Sequence, residues 1–192
     1  MRKLLIALAV VLGIVLVIAL AVFGWVRGTY NQMVQMDEQV NSSWAQVQTV
    51  LQRRFDLIPN LVETVKGYAT HEEGVLTAVT EARAKVGGAA NPGDRMKAEG
   101  DLSNALSRLM VVVEAYPNLK ANQNFMALQD QLEGTENRIA VERQRYNDTV
   151  RSYNQYIRQF PQNMISGMFG FERKTFFEAP GTAQEAPKVQ FK

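Results

Sequence analysis

The sequence predicts an all-α protein: an N-terminal transmembrane helix, an antiparallel four-helix bundle of long helices, and an irregular, phenylalanine-rich C-terminal strap. Three observations carry this expectation. Residues 4–26 contain no charged side chain, and only Gly13 and Gly24 interrupt their apolar ones. From Met33 to Phe160, apolar residues recur three or four apart, the period of one helical face. No strand-type alternation longer than a few residues occurs anywhere.

Composition sets the outer limits. The chain has 192 residues, 46% hydrophobic and 21% charged, enough for one ordinary core without disulfide support. It has no cysteine, which excludes disulfide scaffolds, cysteine zinc sites, iron–sulfur clusters and thiol nucleophiles. A single histidine excludes any triad or metal site needing two imidazoles. A formal net charge of +2 gives no electrostatic footprint for nucleic acid. Neither a cofactor nor a metal is therefore expected.

The elements follow in order. Residues 1–3 form a short basic N-terminus. Residues 4–26, as a helix rising about 1.5 Å per residue, reach about 34 Å and can cross a ~30 Å hydrocarbon core with some tilt. Leu4, Leu12, Val17 and Leu20 belong to this anchor, Trp25 suits the membrane interface, and Arg27 closes it. Ala19-Leu20-Ala21 imitates a signal-peptide cleavage site. A signal h-region is usually about 7–15 residues, however, and here the apolar run continues beyond that tripeptide, favouring an uncleaved anchor. Residues 28–192 hold 18 of the 21 basic residues and all 19 acids, so the soluble part is near −1. Arg2 and Lys3 outweigh Arg27, so the positive-inside rule places the N-terminus in the cytoplasm. The expected location is the cell membrane, single-pass, with the soluble domain on the external or periplasmic side.

Residues 28–160 are expected to form the bundle. The first helix carries Met33, Met36, Val40, Trp44, Val47, Leu51, Phe55 and Ile58. Pro59 should interrupt it, with Asp56 capping a second helix through Leu61, Val65, Val79 and Val86. Residues 87–93 are the clearest loop, and Asp94 is the expected N-cap of a third helix bearing Leu102, Leu106, Leu109 and Val113. Tyr116-Pro117-Asn118 should end that helix, with Asn118 capping the next. The fourth helix has the strongest stripe, from Ala121 and Phe125 through Thr135, Ile139, Glu142, Tyr146, Val150 and Tyr153 to Phe160. Thr135 and Glu142 read as locally solvated or register-fixing positions. Residues 161–178 read as an irregular strap whose phenylalanines, among them Phe169, Phe171, Phe176 and Phe177, fill grooves on the bundle. Residues 179–192 read as a flexible tail.

Chemical motifs are sparse. Gly87-Gly88 lacks the spacing and lysine of a phosphate loop. His71-Glu72-Glu73 begins like a zinc-protease motif, but Val75 takes the second histidine position, so His71 reads as a surface residue. Arg53-Arg54 with Asp56 reads as a solvated corner. Asn41-Ser42-Ser43 and Asn147-Asp148-Thr149 match the glycosylation pattern but fall inside expected helices. Tyr146-Asn147 and Tyr153-Asn154 lie seven residues apart, on one helix face, and Tyr30-Asn31 begins the first soluble helix. These six are candidate interaction or register positions, tyrosine offering a ring with a polar tip and asparagine a bond across helices.

Four segments carry a family resemblance. They are Gln52-Arg53-Arg54-Phe55-Asp56-Leu57-Ile58-Pro59-Asn60-Leu61-Val62-Glu63-Thr64-Val65-Lys66-Gly67-Tyr68-Ala69, Tyr116-Pro117-Asn118-Leu119-Lys120-Ala121-Asn122, Thr135-Glu136-Asn137-Arg138-Ile139-Ala140, and residues 146–161. Together they resemble the bacterial LemA family over about residues 4–178, departing at Asn118, where the family pattern has aspartate. The resemblance implies a single-pass membrane protein with an antiparallel four-helix bundle, no established enzymatic activity and no catalytic residues to transfer. The functional expectation is a membrane-anchored interaction module or scaffold at the cell envelope, not an enzyme. Its partners would be membrane lipid through the N-terminal helix and further proteins, with no nucleic acid, and homo-oligomer formation stays open. The alternatives are a binder of a small or lipid-like ligand within the bundle, and an enzyme using carboxylates such as Glu63 and Glu142.

Overall fold

The computed structural model describes residues 2–69 and 71–177. Its elements are α1 (Arg2–Lys66), α2 (Glu73–Gly88), α3 (Pro92–Val113), α4 (Pro117–Lys120), α5 (Gln123–Tyr156) and α6 (Gln162–Phe169). Every regular element among the described residues is helical. The chain divides into two compact units: one of the residues up to Ser42 with Asp148–Lys174, the other of Ser43–Asn147 with the chain from Thr175.

In the first unit, α1 begins with a stretch in which every described residue from 2 to 25 is exposed. That stretch is long and apolar enough to cross a membrane. The helix then buries Thr29, Met33 and Val40, while α5 contributes Val150, Tyr153 and Asn154. Beyond α5, α6 buries Ile165 and Ser166, where irregular chain was expected. Gly167 does not break this helix: open space surrounds it, and its cost is only the entropy of a helical glycine, about 1 kcal/mol. The Ser166 hydroxyl donates to the Ile157 and Asn163 carbonyls at 3.0 Å each, and these bonds seat the helix. The true stop is Gly170, whose φ of +75° ends α6 in the left-handed conformation that glycine adopts without penalty.

The second unit holds an apolar core built from five helices. Ile58, Leu61 and Val65 of α1 meet Val79 and Val86 of α2, Leu102 and Leu109 of α3, Leu119 of α4, and Phe125 and Leu132 of α5. Each large side chain fully removed from water contributes about 1.5–3 kcal/mol.

Pro59 does not interrupt α1, contrary to expectation. A helical proline lacks the N–H that would bond to the carbonyl four residues back, here that of Phe55. Arg83 of α2 supplies the missing donor: its Nε lies 3.0 Å from the Phe55 oxygen. The guanidinium also covers the Phe55 ring at 3.8 Å. With its orphan acceptor satisfied, α1 continues to Lys66. The chain turns instead at Gly67 and Tyr68, so Asp56 caps nothing and Gln52 donates to its carboxylate at 2.9 Å.

The other caps also shift. Only residues 89–91 separate α2 from α3, and Asn91, not Asp94, is the N-cap: its Oδ1 accepts from the Asp94 N–H at 2.9 Å, with Pro92 in the first turn. Asn118 lies inside α4, and Asn122 caps α5 by accepting from the Phe125 N–H at 3.0 Å. Asn122 also donates to the Tyr68 hydroxyl at 2.9 Å, joining the cap to the turn after α1. Thr135 is buried and returns its hydroxyl to the Gln131 carbonyl at 2.7 Å, while Glu142 pairs with Arg145 at 2.8 Å.

Candidate functional site

The expected anchor residues Leu4, Leu12, Val17 and Leu20 are all at least 60% exposed, and Trp25 is 42% exposed. Arg27 is exposed as well. A soluble helix does not leave such a run bare, since isolated apolar patches on soluble proteins stay far smaller.

The tyrosine–asparagine positions do not bond across helices. Three of them, Tyr146, Asn147 and Asn154, hold the extended chain that follows α6. In the first unit, Asn154 donates to the Lys174 carbonyl at 2.8 Å and accepts from the Lys174 N–H at 2.9 Å. An amide side chain carries both a donor and an acceptor, so it can mimic one rung of a strand pair. Lys174 also reaches Asp37 at 2.7 Å and lies 5.8 Å over the Tyr153 ring. Tyr153 is 1% exposed, its hydroxyl sealed from solvent. Burial, reinforced by the carboxylates of Asp37 and Glu172, pushes its phenol up to about 12. Tyr30 sits edge-on against Phe169 at 4.9 Å and Phe171 at 5.6 Å, while Asn31 is exposed.

The second unit repeats the device. Asn147 donates to the Phe177 carbonyl at 2.9 Å and accepts from the Phe177 N–H at 2.7 Å. The Tyr146 hydroxyl donates to the Thr175 carbonyl at 3.0 Å, and burial raises its pKa. Phe177 is buried against Trp44 at 6.4 Å and beneath the Arg143 guanidinium at 4.2 Å. Glu178 and the expected tail 179–192 lie outside the described residues.

Arg54 overturns the reading of a solvated corner. It is 2% exposed, and its guanidinium pairs with the equally buried Glu99. It also donates to Glu136 at 2.7 Å and to the Ser103 hydroxyl at 2.9 Å. Arg54 stands between Leu51 and Ile58, and Glu99 between Met96 and Leu102, each on the buried stripe of its helix. The signal was therefore present in the three-to-four spacing and was masked by the adjacent Arg53. Arg54 Nε and Glu99 Oε1 remain sealed from solvent without a partner. Beside the cluster is a cavity of about 480 Å³ bordered by Lys97, Arg143, Glu136 and Phe177. Burial pulls the Arg143 guanidinium below its ordinary range, Glu136 opposing this and Arg54 adding to it. The carboxylates singled out from sequence are not the ones brought together. Glu63 is exposed and Glu142 is bound to Arg145, whereas Glu99 and Glu136 share Arg54.

A family model described as the LemA family matches residues 43–191, a span that includes the Arg54 cluster and both asparagines. The chain belongs to the LemA family. Among curated LemA-like relatives, it is 28% identical to Magnetosome protein MamQ 2 of Paramagnetospirillum magneticum, over 78% of this chain and 64% of that protein. It is 26% identical to Magnetosome protein MamQ of Magnetospirillum gryphiswaldense, over 77% and 64%. It is 21% identical to Protein LemA of Metamycoplasma hominis, over 88% of this chain and 77% of the other. The chain thus spans just under two thirds of the length of the MamQ relatives.

Proposed function

We propose that this LemA-family protein is a single-pass, membrane-anchored scaffold that works by contact and not by catalysis. Its soluble part is read as an antiparallel four-helix bundle, with the chain after α6 as a strap along it. The observation that carries this reading is the uninterrupted exposure of the apolar residues 4–25, which need a lipid environment. The polar groups of the folded part support it too, because the asparagines, Arg54 and Glu99 are engaged in structural bonds. Photo-crosslinking of the full chain in native membranes is expected to capture discrete protein partners. Crosslinks to lipid alone would overturn the scaffold reading. The soluble domain is placed on the external or periplasmic side, and protease accessibility in intact cells against opened vesicles tests that placement.

The cavity beside Arg54 supports a second reading, a binder of a small polar or lipid-like ligand. Thermal-shift measurements on the full chain in detergent, with lipid headgroup analogues, would then show stabilisation that Lys97→Ala weakens. Unchanged melting temperatures would dispose of it.

A further inference from the structure

We propose that α6 is a second membrane contact, an interfacial foot that rests on the bilayer spanned by α1. The proposal builds on the anchor reading above. Met164 and Met168 stand one helical turn apart and are 63% and 75% exposed, and Phe160, just before the helix, is 80% exposed. The opposite side of α6 is committed to the protein through buried Ile165 and Ser166. Eight residues thus present an inner face that is satisfied and an outer face that is apolar and bare.

The position of α6 identifies what covers that face. Phe169, its last residue, touches Tyr30 at 4.9 Å, and Tyr30 lies five residues beyond Trp25 on α1. Five helical residues rise about 7.5 Å. The polar headgroup layer is about 5–8 Å deep on each side of the hydrocarbon core. A span ending near Trp25 therefore brings Tyr30, and the end of α6 against it, to the headgroup layer. Amphipathic helices bury an apolar face about 5–10 Å into that boundary, which matches methionine and phenylalanine side chains at this height. The flanking charges agree: with Lys174 paired to Asp37, Arg158 and Arg173 against Glu172 still leave a basic excess, suited to anionic lipid.

The absence of native cysteine allows each engineered cysteine to carry a unique spin label. The full chain is reconstituted in vesicles of phosphatidylcholine and phosphatidylglycerol with a nitroxide at Met168→Cys, Val15→Cys or Val111→Cys. Val111, 73% exposed on α3, is the aqueous reference. Accessibility to oxygen relative to a water-soluble nickel reagent reads depth. The expected result is a deep label at 15, an interfacial label at 168 with nickel accessibility several-fold below that at 111, and a repeat of this at Met164→Cys. A deep label at 15 with labels at 164 and 168 as water-accessible as at 111 would overturn the foot and leave the anchor standing. A water-accessible label at 15 would remove the anchor reading and the foot with it.

Discussion

The Arg54 cluster and the Asn154 clamp bury polar groups in opposite ways. Arg54 and Glu99 bring full charges into an apolar core and still leave Nε and Oε1 without partners. Asn154 offers one donor and one acceptor to one backbone N–H and one C=O, and all four are matched. A buried ion pair depends on both members, because losing either strands a charge in a low-dielectric interior. A neutral reciprocal clamp fails locally, since the peptide released can bond to water. The first is a global element of stability, the second a local one.

The largest test addresses that difference directly. Arg54→Met should cost about 3–5 kcal/mol by leaving Glu99 buried without its partner, read by chemical unfolding of the full chain in detergent. The double variant with Glu99→Leu should recover most of the loss. If the double variant is as unstable as the single, the cluster is not a charge-compensated unit. Next in size is Arg83, which bonds the carbonyl orphaned by Pro59. Arg83→Ala should cost about 1.5–3 kcal/mol in the native background. With Pro59→Ala also present, residue 59 regains its own N–H, and only the ring contact, about 0.5–1 kcal/mol, should remain. Equal costs in the two backgrounds would show that Arg83 does not serve the orphaned carbonyl.

Smaller and more local effects are expected at the clamps. Asn154→Ala should accelerate amide exchange at Lys174 by about tenfold or more, corresponding to about 1–2 kcal/mol, with little change in global unfolding. Asn147, partly exposed, should show the smaller effect at Phe177. A global loss matching that of Arg54→Met would erase the contrast. Tyr153 gives the smallest signal near neutrality. Its folded pKa is raised, so its contribution is fully present below the ordinary value of 10.0 and is lost as pH rises towards about 12. Tyr153→Phe should therefore flatten the decline in melting temperature above about pH 10 and leave its slope near pH 7 unchanged.

Much of the fold was legible because apolar periodicity reports buried faces directly. Val47, Leu51, Ile58 and Ile139 are buried on the stripes that predict them. What was missed involved partners distant in sequence. Pro59 reads as a breaker until Arg83, 24 residues on, answers the free carbonyl. Asp56, Asp94 and Asn118 have good cap chemistry but stand inside helices, and the N-caps of α3 and α5 are Asn91 and Asn122. The heptad spacing of Tyr146-Asn147 and Tyr153-Asn154 put these residues on one face, yet periodicity alone could not reveal that Tyr146, Asn147 and Asn154 bond to extended chain and not to another helix. Arg54 and Asp37 show the same limit: each lies on a buried stripe, and only the fold supplies Glu99 and Lys174 as counterparts.

Both asparagines address main-chain atoms alone, and every residue except proline carries that pair of atoms. The clamps are therefore blind to which side chains stand at 174 and 177. What fixes those side chains lies elsewhere, Asp37 for Lys174 and Trp44 with Arg143 for Phe177, while proline is a substitution both clamps must reject. The two asparagines, by contrast, have no neutral substitute of equal reach.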